Sequence, residues 1–554
     1  MASTSVLEIE DEEMEEFSGF EEEDLDELEA QQNEDSESDI SVSSVNTEDL
    51  ENLSELEADE VEAEAVEEEW CTSEAPVHVS PFTAVTGPVS HVPDNKSAID
   101  FFHLMFPESL IETIVTETNR YARQCTAVKP DAKWYDTTLA EMKAYLGLHI
   151  IFGIKQLPAN RHYWSKDPVL GVQAVQKVMP RNRFDKLTQY LHVNDNSNQV
   201  PREDPAFDKL FKVRPLLHRV LECCQQEHRP GQNLSIDEAM VKFKGRLGIK
   251  QYMPQKPIKR GIKIWECANL SNGFVSEYQV YTGKQQDGTP EENLGYRVVH
   301  DLTRNFTGKN HHHVFFDNYF SSVKLSEDLL KDAIYSCGTV RANRKGYPKE
   351  LAKKAVTVKR LSHGEHLFRR KNNLVATAWK DKKVVNFLST QSNPVGNETV
   401  PRKQRDGTII QVPSAPVVRS YNKNMGGIDL SDQLRGYYAV GRKSRKWWRY
   451  LFWFCVDFSI VNASILETLA PNHSTRKQLA FRLELAKKLI GDFQNRGLSP
   501  SSGNLEGGHW SIPFSKERWK RCLKNKRNTF CRMGCELCNK RCCLTCFKNH
   551  QGHL

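Results

Sequence analysis

The sequence has no long apolar segment of the kind that crosses a membrane. A transmembrane helix needs about 18 or more consecutive apolar residues, and no such run occurs here. The amino terminus is acidic, whereas a secretory signal combines a basic segment with an apolar one. These absences predict a soluble intracellular protein with no membrane partner.

Basic side chains are absent from residues 1–70, which contain 30 Asp and Glu and no Lys or Arg. Residues 71–554 hold all 75 Lys and Arg but only 43 of the 73 acidic side chains, a net charge of +32. A positive charge of this size attracts polyanions, and nucleic acid is the usual partner. A solvated basic surface on an ordinary enzyme is the alternative.

The periodicity of the apolar residues changes along the chain. Residues 1–93 are rich in Glu, Asp and Ser, so they bury too little apolar surface to fold and are predicted to be disordered. From about residue 97, apolar side chains recur at helix-face spacing, beginning with Phe101 and Phe102. Short apolar strands alternate with helical segments between about residues 233 and 340. Strands mixed with helices around one sheet predict an α/β core.

Aspartates stand at the edges of the predicted elements. Asp237 follows a short strand, Asp317 ends the strand Val314–Phe316, and Asp429 opens a helix after two glycines. Asp432 lies three residues further on and so shares a helix face with Asp429. Phosphodiester transfer uses such clusters, because two Mg²⁺ ions about 3.5–4 Å apart activate the attacking oxygen and stabilise the leaving one. Mg²⁺ prefers oxygen ligands, so these side chains are candidate magnesium ligands.

On spacing alone this cluster is a weak signal. Seventy-three acidic residues offer many arbitrary triplets, and an Asp at a helix start is commonly an N-cap. The flanking sequence makes the signal specific. Five motifs in order resemble the piggyBac transposase family: Ser235–Arg246, Lys250–Lys263, Phe316–Ser322, Gly338–Arg344 and Tyr421–Gln433.

The resemblance covers roughly residues 97–470 and implies the fold and chemistry of the family. The implied fold is an α/β RNase H-like catalytic core, interrupted by a β-rich insertion domain and flanked by helical segments. The implied activity is cut-and-paste transposition of double-stranded DNA through hairpinned ends, usually into TTAA targets. The family's catalytic aspartates fall on Asp237, Asp317 and Asp429, with Asp432 as a further acidic member, and none is substituted.

The resemblance and the composition together divide the chain into seven parts. These are an acidic disordered tail (1–93), a helical dimerisation and DNA-binding region (94–230), the first part of the core (231–343), the β-rich insertion domain (344–417), the last part of the core with a helical DNA-binding segment (418–495), a linker (496–515) and a cysteine-rich zinc domain (516–554).

Basic side chains follow the first aspartate and precede an aromatic segment. A groove beside a phosphoryl-transfer site needs them, because phosphate contacts dominate DNA affinity. The predicted DNA-binding residues are Lys242, Lys244, Arg246, Lys250, Lys256, Lys259, Arg260, Lys263, Arg442, Lys443, Arg445 and Lys446. The first eight could instead be a solvated strand edge, and the last four a nuclear import signal. The aromatic residues after them are more typical of a helix core than of a base-stacking surface.

The last 33 residues contain seven of the 14 cysteines. Without a secretory signal, such a cluster favours zinc over disulfides, and two zinc ions need eight thiolate or imidazole ligands. The candidate ligands are Cys522, Cys531, Cys535, Cys538, Cys543, Cys546, His550 and His553, with Cys542 as an alternative to Cys543. The tail resembles the cross-brace domain of many piggyBac transposases, but Asn525 stands where a second cysteine of the opening pair is usual. The pairing of the ligands stays open.

Two functions follow from these observations. The first is a nuclear piggyBac-type transposase that acts as a homodimer and uses two Mg²⁺ ions for strand cleavage and strand transfer. The second is a domesticated derivative that still binds DNA but no longer transposes. The four intact aspartates favour the enzyme, and a stand-alone nuclease is disfavoured by the separate cysteine-rich tail.

Overall fold

The computed structural model describes residues 69–90, 96–254, 256–283, 293–308, 310–471, 473 and 476–494, and the backbone of short strands between residues 511 and 535. All described residues except 246–248 belong to one compact unit. Most of the predicted acidic tail and most of the cysteine-rich tail lie outside the described residues.

The helices lie on both sides of the strand-rich part of the sequence. In chain order they are α1 (Ala98–Met105), α2 (Glu108–Val128), α3 (Leu139–Ile154), α4 (Gln173–Val178), α5 (Arg181–Tyr190), α6 (Arg214–Glu227), α7 (Leu294–Thr303), α8 (Val323–Lys331), α9 (Val356–Lys359), α10 (Pro416–Asn424), α11 (Gly427–Gly436), α12 (Trp448–Leu469) and α13 (Gln478–Ile490). The helical spacing predicted from about residue 97 onward is confirmed, because Phe101 and Phe102 are fully buried on α1.

The aromatic helix α12 is the centre of the helical part, packing against α1, α6, α11 and α13. It is the one helix in the described part of the chain with the length and composition of a membrane span, yet 89% of its most apolar window is buried inside the protein. Such burial is typical of a core helix. Residues Trp448–Glu467 are almost all buried, which confirms the prediction that this aromatic segment is core.

The strands form one large sheet and several small ones. In chain order they are β1 (Gly87–Pro88), β2 (His228–Arg229), β3 (Asn233–Lys242), β4 (Lys250–Tyr252), β5 (Arg260–Asn269), β6 (Val275–Val280), β7 (His313–Phe316), β8 (Tyr335–Thr339), β9 (His366–Lys371), β10 (Leu374–Lys380), β11 (Val384–Ser389), β12 (Glu398–Lys403), β13 (Ile409–Ser414), β14 (Ser511–Pro513), β15 (Lys520–Arg521), β16 (Phe530–Cys531) and β17 (Met533–Cys535).

The large sheet has the order β4-β5-β3-β7-β8-β11-β10-β9, and β6 also pairs with β5. Strand β3 is antiparallel to β5 but parallel to β7, and β7 is parallel to β8. The turn Ser271-Asn272-Gly273 joins β5 and β6 as a hairpin, where Gly273 has a φ of 74°. Three antiparallel strands beside two parallel ones are compatible with the RNase H-like core that the resemblance implies.

Residues 344–417, which were predicted to form a β-rich insertion domain, share the large sheet with the predicted core. Three of their strands extend the large sheet, because β11 pairs with β8 through Phe387 and Thr339 and β10 pairs with β9. Only the hairpin β12–β13 is a separate two-stranded sheet. The pattern of short alternating strands predicted their existence, but it contains no information about which strand each one pairs with.

The predicted boundary of the acidic tail is also too late. Residues 69–90 run along the folded body, where Cys71 exchanges two backbone hydrogen bonds with Arg370 and the indole of Trp70 donates one to the carbonyl of Gly346 at 3.0 Å. Strand β1 pairs with β2. The acid-rich composition stops just before Trp70, so the residues after it can bury apolar surface and pack.

Candidate active site

The sheet places two of the predicted catalytic aspartates side by side. Ile236 on β3 is in register with Phe316 on the parallel strand β7, and Asp237 and Asp317 are the next residues on each strand. Neighbouring strands lie about 4.8 Å apart, so the two carboxylates leave the sheet from adjacent positions. The backbone amide of Tyr319 donates a hydrogen bond to Asp317 Oδ1 at 2.8 Å, which fixes that carboxylate.

Helix α11 brings the other two aspartates to this part of the sheet, since it packs against β3 and β5. Its first residue, Gly427, makes the close approach, because a Cβ atom there would lie 2.3 Å from Ser235 Oγ. Asp429 is exposed in the first turn, and Asp432 is partly buried one turn later. The second glycine of the pair before Asp429 therefore has a packing function that the motif alone did not reveal, whereas a Cβ at Gly426 would meet nothing within 4 Å.

The ammonium of Lys256 connects the four aspartates electrostatically. Its Nζ atom donates hydrogen bonds to Asp237 Oδ2 and to the backbone carbonyl of Glu238, each at 2.9 Å. Its charge also lowers the pKa values of Asp317 and Asp432, and the charge of Asp429 raises the pKa of Lys256. The aspartates that the sequence separates by up to 195 residues (Asp237 to Asp432) thus share one electrostatic environment.

Mutual repulsion and burial change the pKa values in this cluster. Burial raises the pKa of Asp317, and the charge of Asp237 raises it further. Burial also raises the pKa of Asp432, with a smaller contribution from Asp429. Burial alone would raise the pKa of Asp237, but Glu238 and Lys256 outweigh it and hold this pKa below its ordinary value. Asp237 is therefore the carboxylate held most firmly in its ionised form.

Three charged residues that no sequence motif indicated surround the aspartates. Glu266 on β5 is in register with Asp237 and is fully buried, which raises its pKa to about 8. Burial and Asp237 together raise the pKa of Glu238 to about 7. Arg435 on α11 forms an ion pair with Asp432 and lies 3.7 Å from Glu266 Oε1. A Glu inside an apolar strand was the signal that could have revealed Glu266.

The donor set fits a divalent cation chemically. Mg²⁺ takes hard oxygen ligands. The four predicted positions offer carboxylate oxygens, whose negative charges repel one another when no cation is bound. The carboxylates are not assembled as a finished coordination shell, because the described residues contain no group of three His, Cys, Asp or Glu side chains close enough to hold a metal ion. Closer approach of the carboxylates would accompany binding of the ion.

The predicted DNA-binding residues divide into an exposed set and a buried set. The exposed side chains are Lys242, Lys244, Arg246, Lys259, Arg260, Lys443 and Arg445, with Lys250 and Lys446 partly exposed. Lys263 is instead buried, 3.6 Å from Glu238 Oε1, and Lys256 binds Asp237. Arg442 donates a hydrogen bond to the hydroxyl of Tyr163 at 2.8 Å. Lys263, Lys256 and Arg442 therefore have partners within the protein, and their contact with DNA stays a prediction.

The predicted zinc ligands fall on residues that the structure does not describe in full. Cys522, Cys538, Cys543, Cys546, His550 and His553 lie outside the described residues, and only the backbone of Cys531 and Cys535 is described, in β16 and β17. Their zinc-binding function stays a prediction.

Comparison with known proteins decides the family. A family model described as Transposase IS4 matches residues 97–464, which is more than half of the chain and includes all four aspartates. The human PiggyBac transposable element-derived protein 2 is 30% identical over 462 residues, covering 78% of this chain and 74% of the relative. The chain belongs to the piggyBac transposase family.

Other members of the piggyBac family agree with this assignment. The human PiggyBac transposable element-derived protein 5 is 27% identical over 428 residues, covering 74% of this chain and 78% of the relative. A structure of a piggyBac transposase synaptic complex with hairpin DNA superposes with a TM-score of 0.64 at 23% identity. The match covers 83% of this chain and 98% of that chain, so the two share a fold of mixed sheet and helices.

Proposed function

We propose that this piggyBac-family protein is a DNA transposase that cleaves and joins DNA strands at the cluster of Asp237, Asp317, Asp429 and Asp432. The observation that carries the proposal is that Asp237 and Asp317 lie at neighbouring positions of β3 and β7 and that α11, with Asp429 and Asp432, packs against β3, all within the segment that matches the transposase family. We further propose that the large sheet is the RNase H-like core of the family.

The residues of the cluster would divide the chemical work. Asp237 and Asp317 would hold divalent cations from adjacent strands, with Asp429 and Asp432 adding ligands from α11. Two bound Mg²⁺ ions would activate the attacking oxygen and stabilise the leaving oxygen. Arg435 orients Asp432 through their ion pair. The exposed Lys242 and Lys244 beyond Asp237 would bind the DNA backbone.

Further parts of the proposal concern partners and location. The structural neighbour's title names a synaptic complex with hairpin DNA, which supports double-stranded DNA as the partner here. Holding two DNA ends calls for two copies of the chain, so a homodimer acting in the nucleus is proposed. The cysteine-rich tail is proposed to bind two zinc ions, and metal analysis of the purified protein that found no zinc would disprove this.

A second candidate is a domesticated protein that binds DNA without cutting it. The curated relatives carry names that describe them as derived from transposable elements, and this observation favours the second candidate. Intact aspartates do not exclude it, because metal ligands can outlast an activity.

One experiment separates the two functions. The purified full chain would be incubated with Mg²⁺ and a donor DNA that carries the terminal repeats flanking its own gene. Nicking and hairpin formation that disappear in Asp317→Ala are expected for the transposase. Specific binding of the repeats without any cleavage would contradict the transposase and support the domesticated binder.

A further inference from the structure

Lys256 is the cation at the centre of the acidic cluster. Its ammonium is 2.9 Å from Asp237 Oδ2 and 2.9 Å from the carbonyl oxygen of Glu238. Its side chain is only 24% exposed and that of Asp237 17% exposed, so water screens their attraction little. The contact is therefore a strong local interaction rather than a surface ion pair.

The same ammonium acts on every carboxylate at the site. Its charge lowers the pKa values of Asp317 and Asp432 and of the buried Glu266, in opposition to burial, which raises each of them. Lys263 lowers the pKa values of Glu238 and Asp317, and Arg435 lowers those of Glu266 and Asp432. Lys263 faces Glu238 from β5, and Arg435 faces Asp432 and Glu266 from α11.

Lys256 can leave this position without unfolding the site. It lies in the turn between β4 and β5, where its amide donates a hydrogen bond to the carbonyl of Met253 and the amide of Met253 donates one to the carbonyl of Lys259. These backbone bonds hold the turn and do not involve the ammonium. Rotation about the side-chain bonds alone would therefore move the charge away from Asp237.

We propose that Lys256 is a positioning residue that serves as the counter-ion of Asp237 in the metal-free protein and must be displaced from it when a divalent cation binds. The proposal rests on the function proposed above, in which Asp237 is a metal ligand. A divalent cation at Asp237 Oδ2 would compete with the ammonium for the lone pairs of that oxygen and would repel its charge. The ammonium would thus keep the carboxylates together before the metal arrives and would weaken metal binding.

Metal affinity tests this competition directly. Mn²⁺ would be titrated into the full chain without DNA, and the free ion would be followed by its electron paramagnetic resonance signal. Lys256→Met is expected to bind Mn²⁺ about tenfold more tightly than the wild type, which corresponds to about 1.4 kcal/mol of lost competition. Lys324→Met, which removes an exposed lysine on α8, is the control and should leave the affinity unchanged.

Thermal unfolding separates a counter-ion from a purely structural lysine. In EDTA, Lys256→Met should melt at a lower temperature than the wild type, because the buried Asp237 loses its partner. Saturating Mn²⁺ should close this gap, whereas a purely structural lysine would leave the gap the same with and without the metal. Lys256→Gln keeps a hydrogen-bond donor without the charge, so it is the second variant should the methionine variant fail to fold.

The outcomes are distinguishable from those of the proposed function. Suppose that the wild type binds Mn²⁺ and Asp237→Asn does not, but that Lys256→Met and Lys256→Gln bind it no more tightly than the wild type. This result would contradict the counter-ion role of Lys256 and would leave the proposed metal site supported. A wild type that binds no Mn²⁺ would overturn both. Tighter binding in Lys256→Arg, which keeps the charge, would also contradict the proposal.

Discussion

Arg435 Nη2 lies 3.7 Å from Oε1 of Glu266, a carboxylate with no exposed surface. The same guanidinium pairs with Asp432 and lies 4.5 Å above the ring of Phe454. Asp432 is therefore held by a residue that is itself fixed on three sides. This arrangement explains how α11 can present a charged side chain in a fixed direction beside the buried sheet.

Arg435→Met and Glu266→Gln should differ strongly in their effect on stability. Burial raises the pKa of Glu266 to about 8, so the group is mostly protonated at pH 7 and Gln resembles it. We expect Glu266→Gln to lower the free energy of unfolding by about 1 kcal/mol or less. Arg435→Met should cost about 3 kcal/mol, because it removes the charge that pairs with Asp432. Urea unfolding measures both, and a larger cost for Glu266→Gln would contradict this interpretation.

Gly427→Val should damage the site through packing. A Cβ atom at this position would lie 2.3 Å from Ser235 Oγ, so the valine would push α11 and its aspartates away from β3. We expect the free energy of unfolding to fall by about 1–3 kcal/mol. Strand cleavage should be lost while DNA binding is retained. Gly436→Ala, at the other end of α11 where a Cβ would meet nothing within 4 Å, is the control. Cleavage at the wild-type rate in Gly427→Val would disprove the packing argument.

The exposed lysines after Asp237 should determine the salt dependence of DNA binding. Each phosphate contact contributes about 0.9 to the slope of log affinity against log salt concentration. Lys242→Ala with Lys244→Ala should therefore reduce the slope by about two, measured by fluorescence anisotropy on duplex DNA. Lys324→Ala with Lys331→Ala removes two exposed lysines on α8 and should change nothing. Equal slopes in the two double variants would show that Lys242 and Lys244 do not contact the DNA phosphates.

His149 should make the fold sensitive to mild acid. It stacks on Trp453 with ring centroids 3.8 Å apart, and burial lowers its pKa from 6.5 to about 3. The unfolded chain therefore binds a proton below pH 6.5 that the folded chain refuses. The contribution of His149 to the free energy of unfolding is therefore fully present above pH 6.5 and is lost as the pH falls below that value. The loss attributable to His149 between pH 7.5 and 5.5 is about 1.4 kcal/mol.

His149→Phe tests that assignment, because phenylalanine keeps a ring against Trp453 but binds no proton. The free energy of unfolding of the variant should fall less than that of the wild type between the two pH values. The same pH dependence in both proteins would show that other groups cause it.

Motifs predicted the site better than periodicity predicted the fold. The strand end before Asp317 and the helix at Asp429 follow from apolar runs beside polar residues, and the structure has them. Asp237 was expected after a short strand but lies within β3, which continues to Lys242. The parallel pairing of β3 with β7 depends on contacts between segments about 80 residues apart, so local spacing could not predict it.

Side-chain partners were the part that the sequence could not provide. Lys256, Lys263 and Arg442 are basic, like the exposed Lys242 and Lys244, and were assigned with them to DNA. Whether a lysine faces solvent or a carboxylate depends on register and on the neighbouring strand, as with Lys263 and Glu238. The extension of the sheet by β9, β10 and β11 was missed for the same reason, because pairing partners are not encoded locally.

The rate of strand cleavage in matched aspartate variants shows whether Asp317 takes part in DNA cleavage. A donor DNA with the terminal repeats would be cut under single-turnover conditions with Mg²⁺ by the wild type, by Asp317→Asn and by Asp328→Asn, an aspartate on α8 in contact with Lys331. Losing even an indirect metal contact costs about 10–100-fold. The account therefore predicts at least about a hundredfold loss in Asp317→Asn with DNA affinity unchanged, and a wild-type rate in Asp328→Asn. Cleavage by Asp317→Asn at the wild-type rate would contradict it.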